Sequence, residues 1–102
     1  MANEVSGATG ATSTSRVFEL ERPFEYRGAR YHSLTAREPK VRDLREFLKN
    51  VDRDSIAAME KVLSNLTEVD EKIIAEMSIP DFAVMKKWFE GFLKPMINDS
   101  ED

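Results

Sequence analysis

From Phe18 to Tyr26 the apolar side chains keep to every second position, Phe18, Leu20, Phe24 and Tyr26, with Glu19, Glu21 and Glu25 between them. That alternation predicts a strand with one face buried. Arg27-Gly28 supplies a glycine able to take positive φ, and Ala29 to Thr35, with Tyr31 and Leu34, reads as the returning strand of a hairpin. One uninterrupted register fails the pattern. Pairing Tyr26 with Ala29 sets Phe24 against Tyr31 and Leu20 against Thr35, which strands Leu34 on the polar face. Pro23 cannot donate to a ladder, so a bulge or break there is expected to bring Leu34 back beside Leu20 and split the hairpin into two paired segments.

Beyond Arg37-Glu38-Pro39 the period changes to that of helices. The residue before a proline avoids the helical region and proline suits a first turn, so a helix is predicted to start there. It carries Val41, Leu44, Phe47, Leu48 and Val51 at helical spacing, with Asp43 in the first turn, where the helix dipole favours negative charge. Asp54 can cap a second helix with Ile56, Met59, Leu63 and Leu66 on one face and Val62 on its flank, ending near Asn65. Thr67 and Asp70 resemble a capping box opening a short helix that presents Ile73, Ile74 and Met77. Ser78-Ile79-Pro80-Asp81 is the clearest helix start: a serine cap, proline in the first turn, an acid three residues after the cap, and Met77 with Phe82 placed as a hydrophobic staple. Phe82, Met85, Phe89, Phe92 and Met96 then follow one face, flanked by Val84, Trp88 and Leu93, until Gly91 and Pro95 weaken and stop the helix. The pattern is that of an α+β fold: a bent N-terminal β-hairpin followed by three or four short helices in one small domain.

Composition sharpens this. In 102 residues, 41% apolar and 33% charged, there is material for one core and no apolar run approaching a membrane span. Residues 1–15 are mostly Gly, Ala, Ser and Thr, too little apolar surface to repay ordering, and read as a disordered tail without the features of a signal peptide. Residues 98–102 read as an acidic fraying end, leaving 16–97 as the domain, marginal alone or oligomeric. With no cysteine, disulfides, thiolate metal sites and thiol nucleophiles are excluded, and the chain suits a reducing cytoplasm. The formal net charge of −4 argues against nucleic acid as the main partner. It averages two unlike halves: residues 16–49 hold nine Lys or Arg against six Asp or Glu, and residues 50–102 hold six against twelve. Such asymmetry favours self-association or docking of a polar partner.

Two stretches together resemble a known family. Phe18-Glu-Leu-x-x-Pro23, Gly28, and Leu34-Thr35-x-Arg37-Glu38-Pro39-x-x-x-Asp43-Leu44, followed by Leu66-Thr67, Val69-Asp70-Glu71, Met77-Ser78-Ile79-x-Asp81-Phe82 and Gly91-Phe92-Leu93, are similar to the phage tail assembly chaperones of Mu-like contractile-tailed phages and prophages. The resemblance spans Phe18 to Leu93. The long Gly/Ser/Thr-rich tail and the shortened middle helix depart from it. Membership implies a non-enzymatic role in the host bacterial cytoplasm, before the tail polymerises: keeping the tape measure protein soluble and recruiting tail tube subunits. No cofactor or metal is implied.

The physical counterpart of such a role is an apolar surface able to cover apolar helices. Trp88, Phe89, Phe92 and Met96 are the candidate partner-binding residues, because aromatics and methionine of this number exceed what so small an interior can hide. Phe82, Met85 and Phe89 also suit a plain core, which leaves Trp88 and Phe92 as the stronger surface residues. An exposed hairpin edge is a second assembly surface. Arg37, Glu38 and Pro39, like Ser78 and Asp81, read as structural: an ion pair or cap by Arg37 where strand turns to helix, and a helix start at Ser78. His32, the sole histidine, reads as an exposed strand residue. Asp52 with Asp54 and Asp70 with Glu71 read as helix starts, lacking the glycine and ligand spacing of a calcium loop. The alternative function is a nucleic-acid-binding regulator using Arg27, Arg30, Arg37, Lys40, Arg42 and Arg45 of the hairpin and first helix; net charge and the absence of interleaved aromatics speak against it. An enzyme is a third class, without residues placed for proton transfer or nucleophilic attack.

Overall fold

Alternation along the first strand and a two-residue turn together build the hairpin. In the computed structural model, which describes residues 15–98, β1 (Arg16–Tyr26) pairs antiparallel with β2 (Ala29–Ala36). Arg27 and Gly28 both take positive φ, 51° and 83°, the turn whose twist matches that of the strands it joins. The ladder is in two pieces. At the tip Phe24, Glu25 and Tyr26 face Tyr31, Arg30 and Ala29; at the base Arg16 to Glu19 face Ala36 to Ser33. Between them, Leu20, Glu21, Arg22 and Pro23 stand against His32 alone. The odd offset resolves the register conflict by putting Phe18, Leu20, Leu34 and Ala36 on one buried face. It differs in one detail from the expectation: Leu34 pairs with Phe18 rather than sitting beside Leu20.

Four helices follow, making one compact α+β domain. Helix α1 (Val41–Asn50) starts two residues later than Pro39, with Lys40 as its cap residue. Helix α2 (Ser55–Thr67) is capped by Asp54, whose Oδ1 accepts the Ala57 N–H at 3.0 Å, and it runs two residues beyond Asn65 before Glu68 ends it in the left-handed region at φ 61°. Ala58, Met59, Val62, Leu63 and Leu66 form its buried face. Ile56, expected on that face, is instead 58% exposed, because it sits in the first turn, beyond the reach of the packed layer. The Thr67–Asp70 capping box does not form. Thr67 belongs to α2 and its hydroxyl donates to the Leu63 carbonyl at 2.7 Å, while Asp70 itself caps α3 (Glu71–Ala75) by accepting the Lys72 N–H at 2.8 Å.

Helix α4 (Ile79–Asn98) starts where predicted but continues through Gly91 and Pro95. Proline lacks the N–H that would reach the carbonyl of Gly91, and because Gly91 lies on the exposed side of the helix, water can meet that carbonyl and the break costs little. The core is a layer of α2, α3, α4 and the hairpin: Leu63, Leu66, Ile74, Met85 and Phe89 are almost wholly enclosed, each contributing about 1.5–3 kcal/mol through burial. Phe47 of α1 meets Phe89 edge to face at 5.2 Å between ring centroids. The expected N-terminal tail, apart from Ser15, and the acidic end, apart from Asn98, lie outside the described residues.

Candidate protein-binding surface

Two buried carboxylates hold the scaffold that presents the surface. Asp81, in the first turn of α4, is only 5% exposed. Its Oδ1 accepts the Glu21 N–H at 2.9 Å, and its Oδ2 accepts the Arg22 N–H at 3.0 Å and the Ser78 hydroxyl at 3.0 Å. The two donors are the backbone groups that the bulge removes from the ladder, so Asp81 replaces the missing strand partner and pins α4 to β1. Ser78 Oγ also accepts the Asp81 N–H at 3.2 Å, which caps the helix. Burial alone would raise the Asp81 pKa; the backbone donors and the Ser78 hydroxyl outweigh it and hold the carboxyl below its ordinary value.

Asp43 performs the same service for α1. It accepts the Lys40 N–H at 2.7 Å and takes both Arg37 amino groups, at 2.9 and 3.0 Å. Desolvation opposes its charge, but the Arg37 guanidinium and the Lys40 N–H bring its pKa below normal, and the hydrogen bonds to Asp43 raise that of Arg37. The Arg37 backbone N–H donates to the Leu66 carbonyl at 3.0 Å, tying the end of β2 to α2. Glu38 is exposed and Pro39 half-buried in this junction, and the Glu38 carbonyl accepts a further Arg37 bond at 3.2 Å.

With α4 so fixed, its ring-bearing residues divide. Phe89 is fully enclosed and offers no surface, which corrects its place among the partner-binding candidates: it shares the buried sector of the helix with Met85 and Leu93 and packs its ring against Phe47. Trp88 is half-buried, edge to face against Phe18 at 5.2 Å, and Phe92 is 37% exposed, edge to face against Trp88 at 5.3 Å. Arg16 lies over the outer side of the Phe18 ring, 4.6 Å from its centroid. Val84, one turn before Trp88, is 53% exposed. The result is an apolar strip running from Val84 through Trp88 to Phe92. The Met96 side chain lies outside the described residues.

A second apolar surface was not read from the sequence as a surface. Val41 and Leu48, two of the apolar residues at helical spacing on α1, are 71% and 50% exposed, and with Leu44, Arg45 and Lys49 they line an open groove of about 390 Å³. The apolar arc of α1 is wider than its contact with α2, so Phe47 is buried while the outer half of the arc meets solvent. That width was visible in the spacing of Val41, Leu44, Phe47 and Leu48; which half would be covered was not.

The other singled-out residues fall outside these surfaces. His32 is exposed opposite the bulge. Lys86 is ion-paired with Glu90 at 3.0 Å. Of the basic residues, Arg37 is committed to Asp43 and Arg27 lies over the Tyr26 ring at 5.6 Å. Among the described residues no group of three or more His, Asp or Glu converges as a metal site would require, and no helix is long and apolar enough to cross a membrane.

The scaffold thus commits Asp81 to backbone donors and Ser78, and Asp43 to Arg37 and Lys40, and leaves apolar residues of α1 and α4 in solvent. Residues 17–94 match the model of the family described as "Phage tail assembly chaperone proteins, E, or 41 or 14". The chain belongs to that family of phage tail assembly chaperones. No curated protein and no solved structure matches it.

Proposed function

We propose that this chaperone acts without catalysis, in the host cytoplasm, by covering apolar helical faces of the tape measure protein until the tail tube assembles around it. The observation that carries the reading is the strip on α4, where Val84 and Phe92 are 53% and 37% exposed and continuous with half-buried Trp88. Leaving such side chains in water on the longest helix gives no benefit to the isolated domain, whereas covering them with another apolar surface is favourable at about 25 cal/mol per Å². The groove of Val41, Leu44 and Leu48 lies on a different helix and is rimmed by Arg45 and Lys49. It supports recruitment of a tail tube subunit while the α4 strip is occupied. Association of several copies would multiply weak contacts into firm retention of a long partner.

The test is co-expression of the full chain with the tape measure protein, scored by the soluble fraction of that protein and by co-elution on a size column. Wild type should hold it in solution, and Val84→Glu with Phe92→Gln, both exposed positions, should lose it while the chaperone itself stays folded. A tape measure protein that remains insoluble with wild type, or a double variant as effective as wild type, would reject the reading.

A further inference from the structure

Helix α4 turns by about 100° per residue. Its buried residues Met85, Phe89 and Leu93 therefore fall in one sector, and Pro80, Val84, Trp88, Gly91 and Pro95 fall together in another. In that outer sector Pro80, Val84, Gly91 and Pro95 are exposed and Trp88 is half-buried, and none of the five bears a charge. Exposed Lys87 and Lys94 edge it on one side; Phe92 and the Phe18 ring beneath Arg16 edge it on the other. From Val84 to Pro95 the strip runs about 16 Å, roughly three helical turns.

Gly91 sits within this strip, and among the described residues neither a positive φ nor a close approach calls for a glycine there. Its backbone is outside the positive-φ region, and a Cβ built on it meets no atom within 4 Å. Glycine is among the poorest residues for a helix interior, so an exposed glycine with room for a side chain weakens α4 without return in the isolated domain. What it creates is a notch beside the Trp88–Phe92 pair, on the side of Trp88 that faces Lys87 and Lys94. Two helices pack as closely as the side chains at their crossing allow, and a glycine at the crossing permits the nearest approach. Apart from the Gly91 carbonyl that Pro95 leaves free, the backbone groups in the body of α4 bond to one another, so an extended peptide finds no ladder to join here and a partner must pack chiefly by side chains.

We infer that the segment of the partner covering α4 is an amphipathic α-helix crossing at Gly91, its apolar face on Val84, Trp88 and Phe92 and its Asp or Glu residues along the edge facing Lys87 and Lys94. This rests on the reading that the α4 strip binds the tape measure protein, and adds the form and charge of what is bound.

The experiment uses the full chain and the co-expressed tape measure protein, with Gly91→Ala, Gly91→Leu and the pair Lys87→Glu, Lys94→Glu, and measures both capture and the melting temperature of each chaperone alone. Gly91→Ala should raise the melting temperature by about 4–8 °C yet weaken capture about fivefold or more, and Gly91→Leu should abolish capture. The lysine reversals should leave melting unchanged and weaken capture most at low salt, where charge repulsion is least screened. Capture by both glycine variants equal to wild type would overturn the inference while leaving the tape measure reading intact. So would a lowered melting temperature for Gly91→Ala, which would assign the glycine to relief of Pro95 in its own helix. Failure of wild type itself to capture the protein would instead remove the reading beneath it.

Discussion

Replacing Asp81 by Asn tests the junction on which the α4 surface depends. The substitution keeps the shape of the side chain and removes its charge. Asp81 accepts three hydrogen bonds, from Glu21 N–H, Arg22 N–H and the Ser78 hydroxyl, at 2.9–3.0 Å. An amide has one acceptor oxygen, so whichever way it turns, its NH₂ group opposes a donor that the carboxylate had satisfied. A hydrogen bond to a charged acceptor contributes about 1.5–3 kcal/mol, and a buried donor left unsatisfied costs about 1–3 kcal/mol, so a loss of about 2–4 kcal/mol follows. A fold of about 80 residues has a total stability of about 4–12 kcal/mol, which makes this a large fraction, equivalent to about 8–32 °C in melting temperature. The pH dependence has a definite sign. The folded carboxyl has a pKa below its unfolded value, near 3.8, so its contribution is complete above that value and is lost as pH falls through the lower folded pKa. Asp43 adds to the same acid limb, and Asp81→Asn should remove the Asp81 share of it. Urea unfolding followed by Trp88 fluorescence and far-ultraviolet dichroism measures the loss, and amide exchange at Glu21 and Arg22 localises it. A variant within about 0.5 kcal/mol of wild type, the range of an ordinary surface change, or one with unaltered exchange at those two amides, would refute the claim that Asp81 stands in for a strand.

Two further substitutions bear on the scaffold and the surface. Arg37→Lys should destabilise by about 1–3 kcal/mol in denaturant titration despite keeping the charge, because a lysine cannot span both Asp43 oxygens as the guanidinium does at 2.9 and 3.0 Å. Phe89→Ala should cost about 3–5 kcal/mol and leave little folded protein, whereas Phe92→Ala should change stability by less than about 1 kcal/mol; similar losses at both positions would contradict the division of the two rings between core and surface.

The elements of this protein are local and were therefore legible in the chain. Alternation of Phe18, Leu20, Phe24 and Tyr26, the glycine turn at Gly28, and the caps at Asp54 and Ser78 depend on neighbours a few residues away, and each forms in the structure. Even the break in the hairpin was implied, because no single register satisfies both Tyr31 and Leu34. What local pattern could not supply was the use made of each residue across the fold. Asp81 looks like the acid of a capped helix, but its carboxylate reaches back 60 residues to the bulge. Thr67 and Asp70 have the spacing of a capping box, yet packing of α2 against the core extends that helix over Thr67 and leaves Asp70 to cap α3 alone.

The apolar surfaces divide along the same line. Residue spacing alone determined that α1 and α4 carry more apolar side chains than a narrow stripe needs, since a helical period reveals every residue that could face inward. Only the packing of α2 and β1 against them decided which would be covered. Phe47 and Phe89 met each other and closed, while Val41, Leu48 and Val84 stayed largely in solvent and Phe92, against Trp88 on one side, stayed partly exposed. Hydrophobicity assigns a side chain a preference for burial, but the number of places to bury it belongs to the assembled fold.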